Sequence, residues 1–280
     1  MTVDPAWVAL SLTRHLGGKT FKALLAAFDQ DLEAILMASP ADLRKVPGIG
    51  PKIANAITEI NLQAVSTAIT RWEAAGVSII PADHPGYPTP LRRVDDAPPT
   101  LFVRGELPDF SNAYAIVGTR HPANPSREIT ERLAMAIVSA GGMVVSGMAL
   151  GIDVHAHRST LAASGITVGV LGSGVGNIYP PQNRKIAEAV LLRGALLSEV
   201  APLTPVSAPQ LVARNRLITG LSKAVIIVET QIDGGAMHAA RFARLQGIPI
   251  YAVEHTASGN QDLLKNGAQA IKHNLDGLDL

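Results

Sequence analysis

From Ala113 onward the sequence alternates short, almost wholly apolar runs with longer stretches whose apolar residues recur at helical spacing. The runs Ala113 to Val117, Met143 to Ser146, Thr167 to Leu171, Ala224 to Glu229 and Ile248 to Val253 lack the polar alternation of a sheet with one wet face. They read as parallel strands buried on both faces. The segments around 126–140, 153–164, 182–193, 208–221 and 235–246 read as the crossover helices that cover them. The pattern predicts an α/β fold, a Rossmann-like, doubly wound and mostly parallel sheet. In such a sheet a ligand sits beyond the carboxyl ends of the strands, where the strand order reverses.

The residues after each strand are therefore the candidate site. Val117 leads into Gly118-Thr119-Arg120, and Val145 into Ser146-Gly147-Met148-Ala149-Leu150-Gly151-Ile152-Asp153. Leu171 leads into Gly172-Ser173-Gly174, and Val228 into Glu229-Thr230, with Gly234-Gly235 opening the next helix. Glycine lets a backbone amide approach a phosphate closely, and a helix N-terminus offers unpaired N–H groups to an anion. Gly118, Ser146, Gly147, Gly151, Gly172 and Gly174 are accordingly expected at a phosphate-bearing ligand. Tight strand-to-helix turns also need glycine, and Asp153 can serve as a helix cap. The spacing disfavours two familiar cofactors. Gly172-x-Gly174-x-Gly176 runs into Asn177-Ile178-Tyr179-Pro180-Pro181 rather than a helix, and no GxxxxGK[ST] phosphate loop occurs, so neither a dinucleotide nor ATP is supported and no cofactor is expected.

The net charge of +1 argues against a uniformly basic nucleic-acid coat, yet residues 118–228 hold 10 basic against 5 acidic side chains. A local positive field in a cleft can recruit an anionic polymer. Arg120 follows a strand end, Arg184 and Lys185 begin a helix after Asn183, and Arg214-Asn215-Arg216 interrupts an apolar helical pattern. Arginine forks grip phosphate oxygens, and asparagine can hold a phosphate or a base edge. One of Arg214 and Arg216 can instead pair with Glu199 or Glu229 and organise the loop. Tyr179 is the one nearby candidate for base stacking. The absence of cysteine removes disulfides, thiol nucleophiles and thiolate zinc sites. His155 and His157 lie two apart on a helix and point different ways, with no third ligand close, so no metal is expected.

The chain divides into a helical front over 1–72, a proline-rich connector over 73–110 with extended pieces at Val77 to Ile80 and Thr100 to Val103, and the α/β region over 111–280. Within the front, Val46-Pro47-Gly48-Ile49-Gly50-Pro51-Lys52-Ile53-Ala54 resembles a helix-hairpin-helix, as in SAM-like domains, and Leu16-Gly17-Gly18-Lys19 suggests a first, less complete hairpin. Gly48, Gly50 and Lys52 are a possible secondary DNA contact, although such hairpins also serve as packing elements. No apolar run approaches the roughly 18 residues of a membrane span, and the N-terminus lacks the pattern of a secretory signal, so a cytoplasmic, non-membrane protein is expected.

Read in order, Gly118-Thr119-Arg120, the Ser146 to Asp153 loop with Ala156-His157, the run Val170 to Tyr179-Pro180 with Asn183, Leu197-Ser198-Glu199 and Arg214-Asn215-Arg216-Leu217-Ile218 resemble the bacterial DNA-processing protein A family, also called Smf. His84-Pro85-Gly86-Tyr87-Pro88 and Pro99 to Gly105 extend the likeness, so that it covers roughly 75–270. The resemblance implies a non-catalytic mediator of natural transformation that binds and protects incoming single-stranded DNA, helps to load the RecA recombinase, and works as a homodimer. It places Arg120 and the Ser146-Gly147 loop in the DNA pocket, Arg184 or Lys185 near it, and Arg214 and Arg216 on phosphates or in shaping the pocket. Asp233 to Ala240 and Glu254-His255 depart from the family pattern, which puts Asp233, His238 and His255 at an altered back of the pocket. Many relatives carry a C-terminal winged helix for which no sequence remains after Leu280, so a function that depends on it is expected to be absent or supplied by another protein. Two other readings stay open: a small-nucleotide-sensing module, and a nucleoside-monophosphate phosphoribohydrolase, whose acidic catalytic pattern is missing.

Overall fold

The computed structural model describes residues 3–280. The front consists of α1 (Pro5–Ser11), α2 (Gly18–Ala27), α3 (Leu32–Met37), α4 (Pro40–Leu43), α5 (Pro51–Thr58) and α6 (Leu62–Ala74). Four of these short helices begin where a side chain satisfies a free backbone amide: Asp4 accepts from Ala6, Asp31 from Ala34, Ser39 from Asp42 and Asn61 from Ala64. Leu10, Phe21, Leu24, Ile35, Leu43 and Ile57 form a core belonging to the front. Val8 and Ile69 turn the other way and pack with Val77, Ile79 and Phe102. Trp7 Nε1 donates to the Pro99 carbonyl at 2.9 Å, and Trp72 meets Phe102 edge-on with ring centroids 5.4 Å apart, so α1 and α6 are fixed to the downstream segment 77–102.

The remainder runs β1 (Ser78–Pro81), β2 (Thr100–Gly105), β3 (Ala113–Val117), α7 (Asn124–Ser139), β4 (Met143–Ser146), α8 (Ile152–Ala162), β5 (Thr167–Val170), α9 (Arg184–Val190), β6 (Ala195–Ser198), α10 (Ala208–Ala213), α11 (Asn215–Gly220), β7 (Ala224–Ile227), α12 (Ala236–Gln246), β8 (Ile250–Val253), α13 (Ser258–Lys265) and β9 (Gln269–Ile271). The strands form one sheet in the order β1-β2-β6-β5-β4-β3-β7-β8-β9. The seven from β6 to β9 are parallel, whereas β2 joins β6 and β1 joins β2 antiparallel. The two extended pieces of the connector are thus an antiparallel margin of the same sheet.

Alternation in β3 shows how both faces are covered. Tyr114 and Ile116 pack with Ile129, Leu133, Ile137 and Ile152 of α7 and α8, while Ala113, Ala115 and Val117 join the core of Leu217, Ile218, Ala239 and Ala243 on the opposite face. Two strands escape the periodicity reading. β6 is a four-residue run that follows an apolar helix almost directly, and β9 is a three-residue edge strand with Gln269 and Ala270 exposed. The single helix expected over 208–221 is divided into α10 and α11 at Arg214. Among the described residues no helix is long and apolar enough to cross a membrane.

Candidate nucleic-acid interface

Strand order reverses between β3 and β7, the first strands of the two halves, and a cleft of about 490 Å3 opens at their carboxyl ends. One wall is Gly118 to His121 after β3; the other is Thr230, Gln231 and Asp233 to Ala236 after β7, with His238. Ala149, Asp153, Leu211, Arg214 and Asn215 close the base. A recess of about 40 Å3 continues past Arg120, Gly147 and Leu150 to Tyr179 and Pro180. α8 and α12 both begin at this cleft without a side-chain cap, so their positive dipole ends bear on it, while the Ile152 amide donates to the Thr119 carbonyl and the Met237 and His238 amides to the Gly234 and Gly235 carbonyls. The exposed Arg120 guanidinium makes no salt bridge or hydrogen bond among the described residues. His121 and Gln231 are cleft residues outside the strand-end motifs; for His121 the adjacent Gly118-Thr119-Arg120 is the available signal.

Arg214 has a different position from the one expected of a phosphate ligand. Its side chain is 7% exposed; Nη1 donates to the Gly147 carbonyl and, at 2.6 Å, to the Val170 carbonyl, and Nη2 lies 3.8 Å from Asp153 Oδ2. Asp153 is also buried and accepts from the Ala149 amide at 3.3 Å. Burial pushes the Asp153 carboxyl up, opposed by the Arg214 charge and by backbone amides, and burial pulls Arg214 down, opposed by Asp153. This ion pair lies beneath the loop from Gly147 to Gly151. A Cβ at Gly147 would fall on the Arg214 guanidinium, so only glycine permits that approach. Met148 and Gly151 have φ of 61° and 76°, and a non-glycine residue in that region is held there by its surroundings. Asn183 supplies part of that hold, donating to the Met148 and Ala149 carbonyls at 2.9 and 3.2 Å.

Other expected ligand residues also build the framework. Ser146 is buried and donates to the Ile116 carbonyl at 2.6 Å, tying β4 to β3. Gly172 packs tightly on Leu211, and a Cβ at Gly174 would collide with the Ala201-Pro202 backbone. Arg216 grips Glu199 with two bonds of 2.7 and 2.6 Å and stands 3.4 Å from Asp96, which joins α11 to the end of β6 and to the connector. The loop-organising alternative therefore describes Arg216 with Glu199, while Arg214 takes Asp153; Glu229 instead accepts from the Ala123 amide at 3.1 Å. Arg184 and Lys185 are exposed on α9 and do not line the cleft. Of the departures from the family pattern, Asp233 and His238 line it, whereas His255 accepts from the Ala257 amide at 3.0 Å and lies outside. In the front, Gly48 has φ 89° against Thr20, Gly50 precedes α5 with open space around it, and Lys52 is exposed. The first hairpin is packed instead, with Gly18 pressed on the Ala97 backbone.

His157, behind the loop, is fully buried. Thr167 Oγ1 donates to the Val144 carbonyl, so its bond of 2.7 Å to His157 Nδ1 is one in which the ring donates, and the neutral Nδ1–H tautomer is fixed. Burial, aided by Arg214, pushes this imidazole down to about 3 from 6.5. The unfolded chain therefore binds a proton that the folded chain refuses between these values, and stability present above pH 6.5 is lost as pH falls toward 3. His157→Gln should flatten the acid limb of a stability profile, by up to about 1.4 kcal/mol per pH unit. Urea denaturation from pH 4 to 7 is the check, and an unchanged slope would contradict the assignment.

Comparison with known proteins agrees with this architecture. The family described as DNA recombination-mediator protein A matches residues 78–279, and the SAM-like helix-hairpin-helix tandem matches 14–60. Protein Smf of Synechocystis sp. is 33% identical over 276 residues, 95% of this chain and 69% of that protein. DNA processing protein DprA of Bacillus subtilis is 33% identical over 210 residues, 72% of this chain and 71% of its own length. The X-ray structure of DNA processing protein A from Streptococcus pneumoniae shares the fold, with a TM-score of 0.81 over 97% of this chain and 95% of that one at 23% identity. That of Helicobacter pylori DNA processing protein A, described for its single-stranded DNA binding mode, has a TM-score of 0.64 at 29% identity, covering 70% and 90% of the two chains. These matches run through the sheet and the loops that wall its cleft, and they make the chain a member of the DNA recombination-mediator protein A family, the DNA-processing proteins also named Smf.

Proposed function

We propose that the cleft between β3 and β7 binds single-stranded DNA through its phosphates, without reading base sequence. The observation that carries this reading is the Arg120 guanidinium, unpaired among the described residues, at the junction of recess and cleft, where α8 and α12 begin. Tyr179, 41% exposed at the far end of the recess, offers a face on which a base can stack. The relative from Helicobacter pylori supports the same ligand. A binding rather than catalytic role fits the carboxylates: Asp153 is buried against Arg214 and Glu229 is engaged by the Ala123 amide, which leaves the exposed Asp233 in the cleft without the second free carboxylate of a paired acid–base site. Protection of incoming strands in the cytoplasm during transformation, delivery to RecA and action as a homodimer complete the proposal, and their support is the family relationship.

Anisotropy titrations with oligo-dT, duplex DNA and a mononucleotide in parallel provide the test. Binding of oligo-dT that weakens steeply with salt, with weaker binding of the other two, is expected. Tight mononucleotide binding without oligo-dT binding would replace this reading with nucleotide sensing.

A further inference from the structure

A second groove, of about 650 Å3, lies between α6 and the turn at Pro202-Leu203. Ala64, Thr67, Ala68 and Arg71 form a stripe of α6 along one wall with Trp72, and Arg104 from β2 reaches it from the sheet. A smaller space of about 140 Å3, lined by Arg104, Ile178, Arg184 and Glu188, adjoins it, and Arg104 and Gly176 belong to both. Three guanidinium groups thus meet one carboxylate along the combined groove. None of the three makes a salt bridge or a side-chain hydrogen bond among the described residues. Arg92, Arg193 and Arg216, by contrast, are each held by protein acceptors. Arg71 and Arg184 are exposed, so their charges are available to a ligand.

The groove is connected to the cleft through a single loop. In the segment after β5, Tyr179 and Pro180 line the recess beside Arg120, while Gly176 and Ile178 line the groove. A chain leaving the cleft past Tyr179 meets Arg184 and Arg104, and then Arg71. Trp72 is half-buried and held edge-on by Phe102, which gives the groove a rigid aromatic surface at little further entropic expense. Several unpaired cations along one groove with one fixed aromatic ring suit a flexible strand of nucleotides.

We propose that this groove carries the continuation of the same single strand beyond the cleft, with phosphates on Arg184, Arg104 and Arg71 and bases along Trp72 and the small residues of α6. The inference rests on the cleft reading above, and the experiment separates the two. Oligo-dT of about 6 and about 20 nucleotides is titrated against the full chain and its Arg71→Gln/Arg104→Gln variant over a range of salt. The variant should bind the short oligonucleotide as the unaltered protein does, which also reports that it is folded. It should bind the long one about tenfold more weakly, with a salt dependence shallower by about 0.7 for each lost phosphate contact. Arg71→Glu alone, on an exposed helix surface, should weaken long-oligonucleotide binding in the same direction. Unchanged affinity and salt dependence for the long oligonucleotide would overturn the groove while leaving the cleft. Failure of the unaltered protein to bind the short oligonucleotide would overturn the cleft reading and the groove with it.

Discussion

Arg214→Ala is expected to destabilise the protein by about 3–5 kcal/mol, the range for removing one partner of a buried ion pair. The substitution strips the Gly147 and Val170 carbonyls of their donor and leaves the Asp153 carboxylate buried without its ion-pair partner. Against a total stability of about 5–15 kcal/mol for a typical domain, that is a large fraction, and urea denaturation should show it as a lowered midpoint. The deficit should shrink as pH falls. Without Arg214 the largest influence opposing burial is gone and only backbone amides and the Arg120 charge still hold Asp153 down, so its folded value rises further, the folded state gains a proton earlier than the unfolded chain and it recovers stability on acidification. Arg214→Ala combined with Asp153→Ala should be less destabilised than the sum of the two single variants, because no uncompensated charge remains. A stable Arg214→Ala protein that has lost only DNA binding would show that the guanidinium acts on the ligand and not on the loop.

Arg120→Ala should do the reverse. Its side chain is exposed and engages no acceptor among the described residues, so stability should stay within the small change of an ordinary surface substitution, about 0.5 kcal/mol. Loss of one charge-assisted phosphate contact is worth about 1.5–3 kcal/mol, or roughly tenfold to a hundredfold in affinity for single-stranded DNA. The salt dependence should become shallower by about 0.7, one phosphate's share. Lys in place of Arg should restore charge but not the bidentate fork, and so only part of the affinity. Oligo-dT anisotropy in fixed salt measures all of these effects; an Arg120→Ala protein that binds as before would remove the cleft as the DNA site.

The contrast between these two arginines marks where sequence reasoning ends. The sheet and its parallel strands were legible because strands buried on both faces must be apolar along their length, as β3 and β7 are. The cleft location was legible because the glycines and Arg120 follow those strands directly, and local order along the chain is all that this needs. Whether an arginine faces solvent or a carboxylate is decided by residues far away in sequence. Arg214 meets the carbonyl of Gly147 and the carboxylate of Asp153, and Arg216 meets Glu199 and Asp96. Ser146 and Asn183, too, bond backward into the framework, to Ile116 and to Met148. Asn260 shows the same thing beside the cleft: it accepts from Thr230 and donates to the Val228 and Val253 carbonyls, fixing the end of β7 from a helix 30 residues on.

The sequence by itself determined the strand–helix alternation, the glycine-rich strand ends and the local excess of positive charge, because each is a property of neighbouring residues. Tertiary structure alone decided which of the charged groups remain free for a ligand. Packing placed Arg214 in a dry interior, where it must be paired, and left Arg120 in water, where its charge can be spent on phosphate.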